Sequence, residues 1–433
     1  MLRRPVLPVA GVLAAALLVG AAGPAAAHDD RDRPSSFASI ATFDVAGEVA
    51  EILAATPDGR TVLYTDSALR QVGLVDISRP DRPRQLGVIA VGGSPTSVTV
   101  TKDGRYALVG VDTTTDLTAP SGVLAVVELR SRQIVRTIDL GGQPDSVALS
   151  PDGRYAALAI ENQRDEELVV GGIEGGLPQP PAGYLSVVEL RGQVRAWTES
   201  RVALTNLPGM AYPTDPEPEF VDVDRRNVAA VTLQENNAVA LVDLAKRRVV
   251  HSFSAGTVSR TDADIVDDDV VAFDDALVAP REPDAVQWTP GGNLITADEG
   301  DLAAEPSGGR GWTVFRPDGA VLFTAGGSAE QALAAAGAYP DGRSDDKGAE
   351  FEGAEVARFG GDTYAFIGAE RGDAVVVYDI DRETRPELRQ VLPTGDAPEG
   401  LLALPAQGLF LASNEDDGSI SVFALQRPRG GHR

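Results

Sequence analysis

The sequence contains no cysteine. That absence excludes disulfides, thiolate nucleophiles and thiolate metal sites together. Histidine is nearly as scarce, with only His28, His251 and His432. A histidine-rich zinc or copper centre is therefore disfavoured, and any metal must be held mainly by oxygen. Positive charge is also short: 38 Lys and Arg stand against 64 Asp and Glu, a formal net charge of −26. A surface of that sign repels nucleic acid and anionic membrane and attracts cations, so nucleic acid is not an expected partner. No Gly-x-Ser-x-Gly elbow occurs, and no phosphate-gripping glycine loop of the Walker or dinucleotide kind. The three histidines are badly placed for a Ser-His-Asp arrangement. Ser344, in Arg343-Ser344-Asp345-Asp346-Lys347, is the one hydroxyl flanked by both charges, and it reads as a turn residue.

Long apolar runs are missing too, save one at the start. Arg3 and Arg4 precede an apolar run over residues 6–20, and Ala25-Ala26-Ala27 supplies a small-residue cleavage site. This pattern predicts a signal peptide over residues 1–27 and a secreted product with no membrane anchor. Residues 28–36 and the basic tail 427–433 are expected to be disordered. The ring described next is expected to be a monomer.

What the chain does contain is repetition. Ser94-Pro95-Thr96-Ser97-Val98-Thr99-Val100 leads through Lys102-Asp103-Gly104-Arg105 into Tyr106-Ala107-Leu108-Val109. Gln143-Pro144-Asp145-Ser146-Val147-Ala148-Leu149 leads through Pro151-Asp152-Gly153-Arg154 into Tyr155-Ala156-Ala157-Leu158. Five weaker copies begin near Glu51, Glu219, Asp284, Glu352 and Glu399. Short intervals, such as 51 to 96, match one propeller blade, and long ones, such as 145 to 219, match a blade with an inserted loop. Asp-Gly at the first turn is a hairpin signal. The fold predicted is all-β, a seven-bladed β-propeller of the YVTN/WD-repeat kind over residues 37–426. The last blade lacks a fourth strand, and residues 37–45 are placed to supply it and close the ring. Among the loops, residues 164–181 read as an exposed excursion, 261–275 as an acid-dense loop, 328–338 as a short helix and 340–347 as a polar turn.

The innermost strand of a blade starts on the face where the second, antiparallel strand ends. At the first place stand Glu51, Thr96, Asp145, Glu219, Asp284, Glu352 and Glu399. At the second stand Asp66, Asp112, Glu161, Glu235, Asp298 with Glu299, Glu370, and Glu415. Seven blades would bring many of these groups within roughly 10 Å of one another, about a Debye length at physiological salt. Such a cluster is protonated, paired with bases or occupied by a cation. The bases nearby are Arg343, Lys347 and Arg371, and calcium suits the oxygen-rich donor set best. The bland reading, carboxylates solvated or fastening neighbouring blades through backbone amides, stands beside it.

Several phrases exceed generic propeller grammar. They are Val231-Thr232-Leu233-Gln234-Glu235-Asn236-Asn237-Ala238, Ile295-Thr296-Ala297-Asp298-Glu299-Gly300-Asp301 and Arg343-Ser344-Asp345-Asp346-Lys347-Gly348-Ala349-Glu350. Glu352-Gly353, Tyr364-Ala365-Phe366-Ile367-Gly368-Ala369-Glu370-Arg371, Ala397-Pro398-Glu399-Gly400-Leu401 and Ser413-Asn414-Glu415 follow. Together they resemble the choice-of-anchor I family, which includes mesenchyme-specific cell surface glycoproteins and bacterial proteins labelled atypical alkaline phosphatases. The resemblance implies an extracellular propeller involved with calcium or phosphate. The amino-terminal repeats resemble YVTN-type binding scaffolds, and Pro398-Glu399-Gly400 is similar to a phrase of calcium-dependent propeller phytases.

Two functions remain open on the sequence. In one, a phosphoesterase, Glu219, Asp284, Glu352 and Glu399 hold the metal, with help from Glu235, Glu299, Glu370 and Glu415. Glu352, Arg343, Lys347 and Arg371 then form the catalytic set, the bases steadying a phosphate ester. In the other, the same acids brace a non-catalytic extracellular module with calcium or bind an extracellular ligand.

Overall fold

The repeated Asp-Gly-Arg turn shows how the blades begin. In Thr56-Pro57-Asp58-Gly59-Arg60 the Thr56 hydroxyl donates to Asp58 Oδ1 at 2.7 Å, and the Arg60 amide donates to the same oxygen at 3.1 Å. Gly59 takes φ 63°, a left-handed conformation that costs glycine little. Thr101 with Asp103 and Ser150 with Asp152 repeat the arrangement. Each turn joins an inner strand to its antiparallel neighbour, and alternation does the rest.

In this computed structural model, which describes residues 35–300 and 307–426, the strands form seven four-stranded antiparallel sheets and two short two-stranded ones. The innermost strands are Leu53–Ala55, Ser94–Val100, Pro144–Leu149, Pro218–Val223, Pro283–Trp288, Ala354–Phe359 and Pro398–Leu404, heading blades 1 to 7. The seven-bladed propeller expected from the repeats is the fold. The compact unit runs from Ser36 to Gln426. The leader over 1–27, residues 28–34 and the tail 427–433 lie outside the described residues.

Closure is as the repeat count requires. Ser36–Asp44 pairs antiparallel with Ser419–Gln426, giving blade 7 its fourth strand from the chain start. Phe37 is 2% exposed and packs edge-on against Phe359 at 5.0 Å, Phe366 at 5.1 Å and Tyr364 at 5.5 Å. Phe366 stacks flat on Phe410 at 4.0 Å, so blades 6 and 7 share one aromatic core. Such rings bury large apolar areas, and their edge-to-face packing adds to that burial.

Small polar links hold the inner strands together near the axis. The Val147 amide donates to Ser97 Oγ, Val221 to Ser146 Oγ, Trp288 to Asp222 Oδ2 and Ala403 to Glu355 Oε1. Each link crosses from one blade to another.

Long connections leave from one face only. They follow second or fourth strands: 161–183, 204–217, 255–282, 299–310 and 325–353. By strand alternation these junctions share the face where the first strands start. The expected excursion carries the hairpin Val169–Val170 and Ile173–Glu174, and the expected short helix is Ser328–Ala336. The acid-dense stretch is no plain loop: Thr257–Ala263 and Asp275–Pro280 pair around it as a hairpin. Val258, Ala263, Leu277 and Ala279 bury one side of that hairpin, which the run of aspartates conceals in the sequence. Among the described residues no helix is long and apolar enough to cross a membrane.

Phe37→Ala is expected to lower unfolding free energy by about 3–5 kcal/mol, as deletion of a buried aromatic does. Urea denaturation of the purified protein measures it, and a loss under about 1 kcal/mol would mean the first strand does not hold the ring.

Candidate functional site

Local structure aims the acids at the axis. In blades 3, 4, 5 and 7 the inner strand opens with Pro144, Pro218, Pro283 or Pro398, and its pairing is broken by a bulge directly after that proline. Asp145, Glu219, Asp284 and Glu399 occupy those bulges. Proline gives no amide to the ladder, and a bulge re-aims the next side chain. The result is a cavity of about 120 Å3 lined by Asp145, Glu219, Asp284, Glu352, Glu399, Thr96 and Phe220. An adjoining cavity of about 550 Å3 shares Phe220 and Glu399 with it and holds Asp222; Glu355 lines it too. The ring carboxylates are half-buried.

Two clusters form around this cavity, each with three carboxylate oxygens within 4.8 Å of one another: Asp145, Glu161 and Glu219, and Glu299, Glu350 and Glu352. Burial, then repulsion from Glu235, pushes Asp145 up to about 7. Burial raises Glu161 and Glu219 well above the carboxylate range, with further repulsion inside the cluster. Asp284 lies between the clusters and is raised by burial, Glu299 and Asp145. Glu352, raised by burial and Glu299, shares a carboxyl–carboxyl hydrogen bond with Glu370. Glu217 shares another with Glu235 and is pushed up to about 11 by burial and that neighbour. Glu399 is raised by burial, Glu51 and Glu415, and Glu415 sits half-buried.

All three expected bases reach the second cluster. Lys347 Nζ bonds Glu299 and lies 3.7 Å from Glu350. Burial opposes the Lys347 charge, but Glu299 and Glu350 outweigh it and its pKa rises. Arg343 pairs with Glu350 and, at 2.6 Å, with Asp346; Arg371 lies 3.0 Å from Glu370 and 3.5 Å from Glu350. Glu350 is thus the acceptor these bases share, and it is 2% exposed. Their loop is pinned by Arg310, fully buried, which donates to the carbonyls of Asp264, Ser344 and Asp346. Gly348, at φ 65°, lets the chain pass Glu330, whose Oε1 would lie 2.4 Å from a Cβ there.

Some expected mouth residues turn out to be fasteners. Asp66 is fully buried and accepts from the Leu69 amide and Gln71. Asp298 accepts from Thr296 and Thr313, with Arg281 at 3.7 Å, leaving Glu299 to face the mouth. Ser344 is fully buried, its hydroxyl 2.9 Å from Tyr339 Oη, so it is a turn residue. Glu350, Glu217, Arg164, Asp222 and Glu355 were not legible as site residues in the sequence, and Asp145 and Glu161 were legible as mouth acids without a metal role. Glu217-Pro218-Glu219 and Glu350-Phe351-Glu352 carried the missing signal, since residues two apart on extended chain share a side. Arg164, from the excursion, reaches Glu217 at 2.8 Å and Asp215 at 3.4 Å.

Burial, opposed by a backbone hydrogen bond, raises Asp222 to about 6, and burial with Asp222 nearby raises Glu355 to about 8. Unfolded, both titrate near about 4. A raised folded pKa means the folded chain keeps protons the unfolded chain has released. Their stabilisation is full below about pH 4 and is lost as pH rises through the folded values. In chelator, Tm is expected to fall from about pH 5 to about pH 8, and Glu355→Gln to flatten the upper part. A Tm that climbs over that range would contradict the burial argument.

The sequence profile of the family described as Choice-of-anchor I domain matches residues 51–306 and 303–383. No curated protein matches the chain. Among solved structures, the chain is similar to Kuenenia stuttgartiensis hydrazine synthase, with TM-score 0.55 and 18% identity over 88% of this chain and 96% of that one. It is also similar to the β-propeller domain of Myceliophteria thermophila Cps50 (Swd1), with TM-score 0.56 and 10% identity over 91% and 100%. Likeness at such identity speaks for the fold alone.

Proposed function

The chain belongs to the choice-of-anchor I family, and from that premise we propose an extracellular propeller whose acidic mouth holds a divalent cation, calcium before others. The observation that carries this reading is the pair of carboxylate clusters at the mouth, each gathering three oxygens within 4.8 Å. The donor set fits. It is all oxygen, and calcium takes about 6–8 oxygens in flexible geometry, with carboxylates mono- or bidentate and water completing the shell. Glu399 Oε2, buried and without a hydrogen-bond partner, adds a donor at the cavity wall. Export by a leader over residues 1–27 is part of the proposal.

A second reading, hydrolysis of phosphate esters, is favoured by one observation. Arg343 and Arg371 are paired to Glu350 yet remain 37% and 41% exposed, so part of each guanidinium faces solvent beside the acids. A bound calcium supplies positive charge for a phosphoryl oxygen. Arg343 and Arg371 orient the ester by bidentate donation, Lys347 holds Glu299 in place, and Glu352 keeps or yields a proton in its bond with Glu370.

The mature protein is expected to melt higher with calcium than with chelator, whichever reading holds. Under the hydrolytic reading it also cleaves a generic phosphomonoester with calcium, and Glu352→Gln lowers kcat by roughly 100-fold with the fold retained, as loss of an acid–base group does. Cleavage at the wild-type rate by that variant would remove Glu352 from the catalytic set. Stabilisation without turnover would leave the binding reading alone.

A further inference from the structure

The two faces of the disc differ in charge. Turns after first and third strands lie on the far face, opposite the mouth. They cover residues 56–60, 77–83, 101–105, 129–132, 150–154, 190–197, 224–227, 244–247, 289–293, 316–320, 360–361, 380–386 and 405–408. These turns hold seventeen Lys and Arg against eight Asp and Glu, the reverse of a chain with 38 bases and 64 acids. Inner strands such as Ser94–Val100 and Pro144–Leu149 separate the faces by roughly 20 Å, at about 3.3 Å per residue. That is more than twice the Debye length of about 8 Å at physiological salt, so the far face is largely screened from the acidic mouth. The net charge of −26 therefore does not decide what the far face binds.

One groove concentrates that charge. Between blades 2 and 3 a cavity of about 620 Å3 is lined by Lys102, Arg105, Tyr106, Val135, Arg195 and Trp197, among others. Arg226 and Arg247, elsewhere on the face, have carboxylate partners, whereas Lys102, Arg105 and Arg195 form no ion pair among the described residues. The lining also holds Asp103 and Asp152, and each turns an oxygen to its own tight turn. Arg136 donates to the Val194 carbonyl, and Trp197 packs edge-on to Tyr106 at 5.9 Å, so the walls from the two blades are fixed to each other. Trp197 is 5% exposed, and its Nε1 is buried with no hydrogen-bond partner. A buried indole N–H normally finds an acceptor, and leaving it without one is costly.

We propose that this groove docks an extended acidic segment of a partner protein, whose carboxylates meet Lys102, Arg105 and Arg195. Charge complementarity selects the sign of the partner, since the bases in the groove have no carboxylate of their own. The lining selects its class. Val135, 47% exposed, stands with Leu190 and Val194 beside the bases, and a peptide brings aliphatic side chains to such a surface where an acidic polysaccharide does not. The Trp197 N–H suits a backbone carbonyl. Arg105 lies 5.1 Å over the Tyr106 ring, which holds its guanidinium in place for bidentate donation. Docking on the far face leaves the mouth open, so the proposal stands apart from the reading of the mouth as cation-binding.

Fluorescence anisotropy of a labelled peptide of four Glu-Glu-Val repeats, titrated with the mature protein, tests this. Binding is expected to be the same within about two-fold in calcium and in chelator, and to weaken as salt rises. The double variant Arg105→Ser with Arg195→Ser, at two exposed positions, is expected to lower affinity at least about ten-fold, as loss of charge-assisted hydrogen bonds does. Arg226→Ser, on the same face but outside the groove, is expected to stay within about two-fold of wild type. No binding by wild type would overturn the proposal. Binding that the double variant keeps, or that Arg226→Ser loses equally, would overturn the groove by making the attraction diffuse. A uronate hexasaccharide that binds as tightly as the peptide, with the same loss in the double variant, would overturn the peptide in favour of an acidic polysaccharide. Self-association of the free protein that the double variant abolishes would replace the partner protein with a second copy of this chain.

Discussion

Repulsion among carboxylates gathered on one axis is the constraint around which this propeller is organised. Radial repetition multiplies whatever stands at a repeat position, so one acid per blade becomes a ring. In water such charges would separate, but strands fixed by their ladders cannot move apart. The ring must then be answered by protons, bases or cations, and Arg343, Lys347 and Arg371 gather on the side of blades 5 and 6. Glu350, 2% exposed, is reached by Arg343, Lys347 and Arg371 together. Among the described residues no base forms an ion pair with Asp145, Glu161 or Glu219.

The insertions follow from the same geometry. Extra chain at the 1–2 and 3–4 turns would fall on the far face, where connections are short. The chain places its excess at second- and fourth-strand ends instead, so the long loops lie on the face of the acidic mouth. One of these loops carries Arg343 and Lys347, and Arg310 anchors it by donating to backbone carbonyls. A buried guanidinium is costly unless its donors are met, so this anchor fixes the loop where carbonyls are available. The base-bearing side of the mouth is therefore a product of the loop between blades 5 and 6.

The repeats made much of the fold legible. Three Thr/Ser-x-Asp-Gly-Arg turns and the alternating apolar strands around them announce blades, and the missing last strand called for residues 37–45 to close the ring. Family resemblance was legible in phrases such as the one from Arg343 to Glu350, because residues in contact with one another there are also close in sequence. Less legible were partnerships that cross blades. Glu217 with Arg164 and Glu350 with Arg371 join residues that nothing local connects. Asp66 and Asp298 looked like mouth acids by position but turn to Leu69, Gln71 and Thr313 instead.

By itself the sequence determined the number of blades, the face on which acids gather and the mainly oxygen character of any metal site. Those properties depend on periodicity and on residue types that are present or missing, and both are read along the chain. Only the tertiary structure decided which acids have a base and which do not. That depends on the bulges after Pro144, Pro218, Pro283 and Pro398 and on a loop folding back over blades 5 and 6. Charge compensation is a matter of distance in space, and spacing along a strand does not encode it.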